Sequence, residues 1–251
     1  MASRVMPFPI SHLEKVVILL HQTQLPENMG AVARVMVNFS LCELRLIAPL
    51  CSPLDEKAFA MSAGAEAILQ TATIYETLAQ ATHDIHWLYG TCATVRHIIK
   101  NYNPISIAAP QMIQQTQSGT VGILFGPERT GLDNDCLSRC HEIIQIPVNP
   151  DFSSMNIAQA CVVIAYELYK NSHEQQAIFH YGETCPAPQS QQDAFLKDLE
   201  KQLDAVDYWR VPSKKPIMWR NLQNIITRFQ LTEQDLRSLW GMISSLRKDV
   251  T

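Results

Sequence analysis

The sequence predicts an α/β protein in which helices cover both faces of a parallel sheet, with a small helical module after it. Three observations predict this: short apolar runs rich in Val, Ile and Leu recur up to residue 148, helical stretches separate them, and the pattern stops after Lys170. Strands buried on both faces carry continuous apolar runs. Alternation with helical stretches is typical of the crossovers that join parallel strands.

Five apolar runs are the predicted strands, and three stretches between or after them are the predicted helices. The strands are 15–20, 43–48, 85–91, 122–126 and 142–148. The helices are 28–40, 54–70 and 156–170, each with an apolar face. These spacings fit strand–helix–strand units, in which consecutive parallel strands need a crossover of a dozen or more residues.

Domain organisation follows from where the apolar periodicity ends. We expect a first domain over 1–170, a linker over 171–190 and a helical module over 191–251. Apolar stripes predict three helices in the module, and in the third Thr232 and Asp235 form a near capping box. The stripes consist of Phe195, Leu199, Leu203 and Val206; of Trp219, Leu222, Ile225, Ile226 and Phe229; and of Leu236, Leu239, Trp240, Ile243 and Leu246.

Charge is distributed unevenly along the chain, whose formal net charge is −4. Residues 1–194 hold 10 Lys and Arg against 17 Asp and Glu, a net of −7, and residues 195–251 hold 10 against 7, a net of +3. An acidic main domain with a basic attachment surface has this distribution, and so does a solvated helical face. The charge therefore leaves binding to a polyanion open.

Composition narrows the compartment and the class of protein. No apolar run approaches the roughly 18 to 20 residues that span a bilayer, and the N-terminal stretch lacks the apolar core of a secretory signal. Seven cysteines, an odd number without framework spacing, indicate free thiols in a reducing compartment. We expect a cytoplasmic protein without a membrane segment.

Four stretches stand at the carboxyl ends of predicted strands, where open α/β sheets bind ligands. They are QLPENMGAVAR, YGTCATVR, FGPERTGL and PVNPDFSSMNIAQA. In the first, Gly30 permits close backbone approach and Arg34 follows one helical turn later, an arrangement suited to holding a phosphate or to an ordinary helix start. In the last, three side chains able to bond locally to backbone stand where an apolar helix begins, and helix capping explains only one of them.

Several common site types are not indicated. Neither G-x-x-x-x-G-K-[ST] nor G-x-G-x-x-G occurs, and there is no G-x-S-x-G elbow. Cys136, Cys140 and His141 lack a second ligand pair for structural zinc, so we interpret them, and the histidines of HDIH (83–86), as packing residues. No metal is expected.

Taken in order on a parallel-sheet pattern, ENMGAVAR, FGPERTGL and IPVNPDFSSMNIAQA resemble the SPOUT superfamily of RNA methyltransferases, in its TrmH-like ribose methylase branch. The basic helical tail is similar to the C-terminal extension of the bacterial TrmJ subgroup, which methylates the 2′-hydroxyl of nucleotide 32 in the tRNA anticodon loop. The resemblance implies an α/β domain with a C-terminal trefoil knot, a homodimer, and S-adenosylmethionine bound within the knot.

The resemblance also implies which residues form the site. The implied catalytic residues are Asn28, Arg34, Glu128 and Asn156. Those implied for the cofactor are Thr91, Cys92, Ala93, Gly126, Ile146, Ser153, Ser154, Met155 and Asn156. Contacts with RNA are expected from Arg34, Arg96, Arg129, Arg210, Lys214, Lys215, Arg220 and Arg228.

Two positions depart from the subgroup, and both remove positive charge. Thr94 stands where an arginine is usual, which leaves Arg96 as a substitute, and Pro127 replaces another arginine. Substrate identity is therefore less firmly indicated than the cofactor. Besides a tRNA methyltransferase, the sequence leaves open a ribosomal RNA methyltransferase of the same fold and an RNA-binding protein that has lost catalysis.

Overall fold

The computed structural model describes residues 12–94, 96, 98–172 and 184–248. Its strands are β1 (Val16–His21), β2 (Glu43–Ile47), β3 (Thr73–Tyr75), β4 (Trp87–Thr91), β5 (Asn101–Pro104), β6 (Val121–Phe125) and β7 (Glu142–Gln145). They form one sheet in the order β3-β2-β1-β6-β4-β7-β5, and every pair is parallel. The predicted parallel α/β architecture is confirmed.

The helices lie between and after these strands. They are α1 (Pro26–Asn38), α2 (Glu56–Ser62), α3 (Glu66–Thr71), α4 (Leu78–Ala81), α5 (Ile105–Gln115), α6 (Asn134–Arg139), α7 (Ile157–Asn171), α8 (Gln189–Ala205), α9 (Lys215–Arg228) and α10 (Glu233–Lys248). Short 3₁₀ turns occupy Leu13–Lys15, Pro150–Phe152 and Pro212–Lys214.

Both faces of the sheet are buried, which explains the continuous apolar runs. Ile18 and Leu20 of β1 pack into a large core with α1, α5 and α7. Their neighbours Val17 and Leu19 pack on the opposite face with α4 and α6. Because successive side chains of a strand point to opposite faces, the five buried positions of β1, Val16 to Leu20, are all apolar.

The structure corrects several element boundaries. The predicted helix 54–70 is two helices, because Ala63 (φ 48°) and Gly64 (φ 100°) adopt left-handed conformations between α2 and α3. The prediction missed β3 and β5, the strands at the two edges of the sheet, and the helices α4, α5 and α6. Of these, β5 is polar and α5 contains Pro110. The last predicted strand, 142–148, ends at Gln145.

The strand order places β7 between β4 and β5. The chain from β4 to β5 therefore has to pass β7, and the chain after β7 continues into α7, which packs against α1 and α5. A trefoil knot requires a crossing of this kind. The threading itself stays a prediction.

The C-terminal module has a small core around Phe195 and Leu236. Its third helix begins with a reciprocal capping box: Thr232 N–H donates to Asp235 Oδ2 at 2.8 Å, and Asp235 N–H donates to Thr232 Oγ1 at 3.1 Å. The predicted apolar stripes are only partly buried, since Val206 is 62% exposed and further members are also exposed: Ile225, Phe229 and Leu246.

The predicted linker 171–190 extends too far. Residues 173–183 lie outside the described part of the chain, but α7 continues to Asn171 and α8 already begins at Gln189. Pro186 pairs with Thr232, and the Gln189 N–H donates to the Ile85 carbonyl at 2.7 Å. Residues 184–190 thus belong to the packed module.

A buried lysine joins the module to the sheet domain. Lys100 Nζ donates to the carbonyl oxygens of Ser138 at 2.9 Å and Cys140 at 2.5 Å, and to the hydroxyl of Thr227 in α9. Burial lowers the pKa of this ammonium to about 8. It caps the C-terminal end of α6, where helix carbonyls lack partners, and ties α9 against that end.

Candidate active site

A cavity of about 260 Å³ opens at the carboxyl edge of the sheet. Its wall consists of the segments that follow β4, β6 and β7, with one side of α7. The carboxyl ends of parallel strands lie at one edge, so loops far apart in the chain meet there. The cavity is slightly smaller than the ligand pockets of about 300 to 1,000 Å³ that are usual for small molecules.

Eight of the nine residues that the resemblance assigned to the cofactor line this cavity. They come from all three segments: Thr91, Cys92, Ala93, Gly126, Ile146, Ser153, Ser154 and Met155. The ninth, Asn156, is not part of the lining and caps α7 instead. Contacts between these residues and a cofactor stay a prediction.

The back of the cavity is apolar and its rim is polar. Phe125, Leu132 and Ile144 are at most 2% exposed and form the back. At the rim stand the Ser153 and Ser154 side chains. An apolar back with a few polar groups suits a ligand that has a flat ring and a polar chain.

Gly126 shapes the loop after β6. A Cβ atom at this position would lie 2.3 Å from the Leu132 nitrogen and 2.4 Å from the Gly131 carbonyl carbon. The loop closes on itself, with the Gly131 N–H donating to the Pro127 carbonyl at 2.8 Å. Only glycine leaves room for this turn, which brings Glu128 toward the start of α1.

Three of the implied catalytic residues form a chain of hydrogen bonds. Asn28 Nδ2 donates to Glu128 Oε1 at 2.9 Å, and Asn156 Nδ2 donates to Asn28 Oδ1 at 2.9 Å. Asn156 Oδ1 in turn accepts from the Ala158 N–H at 2.8 Å and so caps α7. The chain of bonds connects the loop after β6 with the starts of α1 and α7, and each amide has a single orientation that satisfies it.

Glu128 also holds the start of α1. Its carboxylate accepts the backbone N–H groups of Gln24 at 3.1 Å and Leu25 at 3.3 Å. Both groups precede Pro26, the first residue of the helix, so a carboxylate about a hundred residues further along the chain fixes the segment that leads into α1. The interpretation of the stretch as a phosphate holder, which rested on Gly30 and Arg34, stays a prediction.

Gly30 serves helix packing. A Cβ atom there would lie 2.0 Å from the Ala58 carbonyl oxygen of α2, so the glycine allows α1 and α2 to touch. Gly30 is buried, which leaves no room for a ligand against it. The close backbone approach predicted for this position exists, but the neighbour is a helix.

Arg34 does not line the cavity of its own chain. It lies on the exposed side of α1 and forms no hydrogen bond or ion pair within the described residues. It is six residues beyond Asn28, which is buried. The structure therefore does not bring Arg34 together with the other three implied catalytic residues.

Two arginines stand at the mouth of the cavity. Arg96 and Arg129 are exposed and line it, as do Thr94 and Pro127, the two positions that depart from the subgroup. Arg96 also lines a second groove beside the cavity, whose other wall includes Arg220 of α9 and Asp135 of α6.

The five predicted RNA contacts of the tail differ in their surroundings. Lys215 is paired with Glu200 at 3.1 Å and Asp204 at 2.7 Å, and Arg220 is paired with Asp135. Arg228 is half-buried. Arg210 and Lys214 are exposed and have no carboxylate within 4.0 Å in the described part of the chain. Among the five, these two are the cations most available to a polyanion.

Of the residues considered for a metal, Cys136, Cys140 and His141 are buried and His86 is half-buried, whereas His83 is exposed, so the packing interpretation is wrong for His83. Cys140 is fully buried against Gly90, and His141 Nδ1 accepts the Leu88 N–H at 2.9 Å. Burial lowers the pKa of His141 to about 4. All seven cysteines carry free thiols. Within the described ranges, no cluster of three or more His, Cys, Asp or Glu side chains could hold a metal, and no helix is long and apolar enough to cross a bilayer.

Sequence reasoning missed part of the cavity wall. The residues that it did not assign come from strand ends, from the segments after β6 and β7, and from α7: Phe125, Thr130, Gly131, Leu132, Ile144, Val148, Ile157, Ala160 and Ile164. Apart from Thr130 and Gly131, they are apolar, as core residues are. The position of Ala160 and Ile164 one turn apart on a helix that begins at the predicted site is the one signal that could have identified them.

Comparison with known proteins extends over the sheet domain and the module. Residues 15–166 match the SpoU rRNA Methylase family. The chain is 33% identical over 238 residues to the tRNA (cytidine/uridine-2'-O-)-methyltransferase TrmJ of Pectobacterium atrosepticum, which covers 94% of this chain and 98% of that protein. The protein of the same name from Klebsiella pneumoniae is 34% identical over 242 residues, with 94% and 98% covered.

A solved structure is similar over the same extent. The crystal structure of TrmJ from Z. mobilis ZM4 superposes with a TM-score of 0.82 at 37% identity and covers 92% of this chain and 98% of that one. Such coverage includes the module beyond residue 170. The three C-terminal helices are thus part of the similarity.

Proposed function

The chain belongs to the SpoU rRNA methylase family and to the TrmJ group within it, and from this premise we propose that it methylates the 2′-hydroxyl of a ribose in tRNA with S-adenosylmethionine as donor. The proposed target is nucleotide 32 of the anticodon loop, a cytidine or uridine. The observation that carries the proposal is that eight of the residues expected to bind the cofactor, from three segments distant in the chain, line one shared cavity.

The module favours tRNA over ribosomal RNA as substrate. The family domain alone, residues 15–166, is compatible with either. The relatives that match through the module are named for tRNA, and residues 195–251 within it carry the net charge of +3 noted above. We place the reaction in the cytoplasm, in line with seven free thiols.

The cavity fits the proposed cofactor. Its apolar back, formed by Phe125, Leu132 and Ile144, suits an adenine ring, and we propose that the Ser153 and Ser154 hydroxyls bond the polar parts. Glu128 is the one carboxylate in the lining of the described cavity, and we propose that it balances the sulfonium charge.

When bound, S-adenosylmethionine supplies a methyl group on a positively charged sulfur, which is already reactive toward an oxygen nucleophile. The protein then has mainly to orient the ribose, which is worth about 7 to 11 kcal/mol. The bonds between Glu128, Asn28 and Asn156 lock the wall into one geometry. Arg34, always charged, is suited to stabilising a developing alkoxide or holding the adjacent phosphate rather than to removing a proton.

A homodimer would bring Arg34 to a cavity that it does not reach in its own chain. The helix that packs against α1 exposes two apolar side chains: in α7, Val162 and Tyr166 are 40% and 52% exposed, one helical turn apart. Exposed apolar side chains on a helix packed against the one that carries an unpaired arginine suit a subunit interface. We propose that two chains pair through α1 and α7, and that Arg34 of one chain faces the ribose bound at the other.

The test is methyl transfer to defined RNA. Purified protein is incubated with labelled S-adenosylmethionine and a tRNA transcript, and ribose methylation is mapped by resistance to alkaline hydrolysis. The matched control transcript carries a 2′-deoxyribose at nucleotide 32. Transfer that is lost in the control supports the proposal, and transfer that persists there places the target elsewhere.

Two further results separate the alternatives. Mapping of total RNA from cells with and without the gene would reveal a ribosomal target if there were one. A calorimetric titration with S-adenosylmethionine that gave no heat of binding would indicate a non-catalytic RNA-binding protein and overturn the proposal. A stable, active monomer would overturn the dimer alone.

A further inference from the structure

We propose that the turn between α8 and α9, residues 206–214, binds an unpaired nucleotide of the RNA substrate, with Tyr208 stacking on the base and Arg210 and Lys214 contacting phosphates. This inference rests on the proposed function, because it takes the substrate to be an RNA with a single-stranded loop. It adds a second contact for that RNA, outside the cavity.

The direction of α9 places this turn on the cavity side of the molecule. Near its end, Thr227 meets Ser138 at the end of α6, and one to two turns earlier Arg220 pairs with Asp135 at the start of α6. The two helices thus run in the same direction. Since α6 starts at the carboxyl edge of the sheet, the start of α9 points the same way, and Lys214 lies about 9 Å beyond Arg220 along the axis.

The path of α8 leads to the same place. Its first residue, Gln189, bonds the Ile85 carbonyl just before β4, and Gln192 contacts His141 just before β7. Both contacts are at the amino edge of the sheet. The seventeen residues of α8 span about 25 Å and end at the turn 206–214. The other end of this turn is the start of α9, which lies toward the carboxyl edge.

A groove joins the cavity to α9. It is lined by Arg96 and the loop 130–135, and Arg220 of α9 closes it. Arg96, Thr130, Gly131 and Leu132 line both the groove and the cavity. An RNA strand leaving the cavity along this groove would pass Arg220 and then reach the turn.

The turn is built on a fixed aromatic base. Trp209 is 8% exposed, and its Nε1–H donates to Asp204 Oδ1 at 2.6 Å. It packs edge-on against Trp219 of α9, with ring centroids 6.3 Å apart. Tyr208 stands on this base, 5.0 Å from the Trp209 ring at 84°, and is 44% exposed. An exposed ring on a rigid support is suited to stacking with a base.

Charge around the turn favours RNA as the occupant. Lys215 is neutralised by Glu200 and Asp204, whereas Arg210 and Lys214 have no such partner in the described part of the chain. Asp207 is the one acidic residue of the turn, so residues 206–214 carry a net charge of +1. A tyrosine flanked by two free cations provides both the stacking and the backbone contacts that single strands need.

The experiment uses fluorescence anisotropy to measure how tightly the full-length protein binds an unmodified tRNA transcript. The wild type is compared with Tyr208→Ala, with Tyr208→Phe and with a double variant, Arg210→Ala and Lys214→Ala. Phe229→Ala removes an exposed ring from the opposite end of α9 and is the matched aromatic control. Arg237→Ala, on α10, is the matched cation control. Circular dichroism checks folding of each variant.

We expect Tyr208→Ala to weaken binding at least about fivefold, the lower limit for the loss of one stacked base, and Tyr208→Phe and both controls to stay within about twofold of the wild type. The double cation variant should lower the slope of log affinity against log salt by about one to two, while Tyr208→Ala leaves that slope unchanged. Methyl transfer to the same transcript is measured alongside.

The outcomes separate the two proposals. A wild type that methylates the transcript while Tyr208→Ala binds it equally well overturns this inference alone. A wild type that does not methylate it overturns the proposed function, whatever the affinity ratio. If Tyr208→Ala changes the oligomeric state by sedimentation and leaves RNA affinity intact, the turn is a subunit contact and the inference is wrong.

Discussion

Replacing Gly30 with alanine tests whether this glycine serves helix packing or ligand binding. The new Cβ atom would lie 2.0 Å from the Ala58 carbonyl oxygen and 2.9 Å from its carbon, so α1 and α2 must separate by about 1 Å or more to reach ordinary contact of about 3.3 Å. Overpacking costs about 1 to 3 kcal/mol, and the obstacle here is backbone, which places the cost near the upper value.

Alanine regains about 1 kcal/mol of helix propensity, so the net loss of stability is about 2 kcal/mol. For a chain of this size, that lowers the melting temperature by about 4 to 8 °C. Gly241→Ala in α10 is the matched control, because no heavy atom lies within 4 Å of its Cβ position, and it should raise stability by up to about 1 kcal/mol. A Gly30→Ala protein that melts like the wild type but binds RNA or cofactor more weakly would refute the packing argument.

Three further predictions concern the site and its pH dependence. Glu128→Gln removes the acceptor of one of the three hydrogen bonds that this carboxylate accepts, and it should lower the free energy of unfolding by about 1.5 kcal/mol. The control Glu27→Gln removes an exposed ion pair and should change the free energy of unfolding by less than about 1 kcal/mol. Equal effects of the two variants in thermal melts would contradict the role of Glu128 in holding the segment before α1. Arg34→Ala should abolish methyl transfer and keep the calorimetric affinity for S-adenosylmethionine; lost affinity would mean that the residue is misplaced. Burial lowers the pKa of His141 from 6.5 to about 4. As the pH falls, the unfolded chain therefore takes up this proton first, and the free energy of unfolding decreases between pH 6.5 and 4. From pH 7 to 5 the wild type should lose about 2 kcal/mol more than His141→Asn in denaturant titrations, and equal losses would show that His141 is not the source of the pH dependence.

Much of the sheet domain was predictable because its strands are buried on both faces. The runs 15–20 and 122–126 lie within one residue of β1 and β6, since a doubly buried strand admits few polar residues. The polar edge strand β5 has no such signature. The break between α2 and α3 was missed because the apolar period continues across Ala63 and Gly64, although a glycine near a helix end is a common stop signal.

The candidate site was predictable in its parts and not in its connections. Parallel-sheet topology alone requires loops after strands to meet at one edge, so the shared cavity follows from the order of the motifs. The bond between Asn28 and Glu128 joins residues that are 100 positions apart. Sequence also gave no reason to separate Lys214 from Lys215, although only the second is paired with carboxylates.

The amino-acid sequence by itself determined the fold class, the family resemblance and the segments that form the site. A helix or strand that buries one or both faces needs apolar residues at regular intervals, and this period is visible in the sequence. Only the tertiary structure decided which groups are partners: that Glu128 holds the segment before α1, that Gly30 faces a helix, and that Arg34 does not line the cavity of its own chain. Hydrogen bonds and ion pairs depend on distances of a few ångströms between distant residues, and those distances exist only after folding.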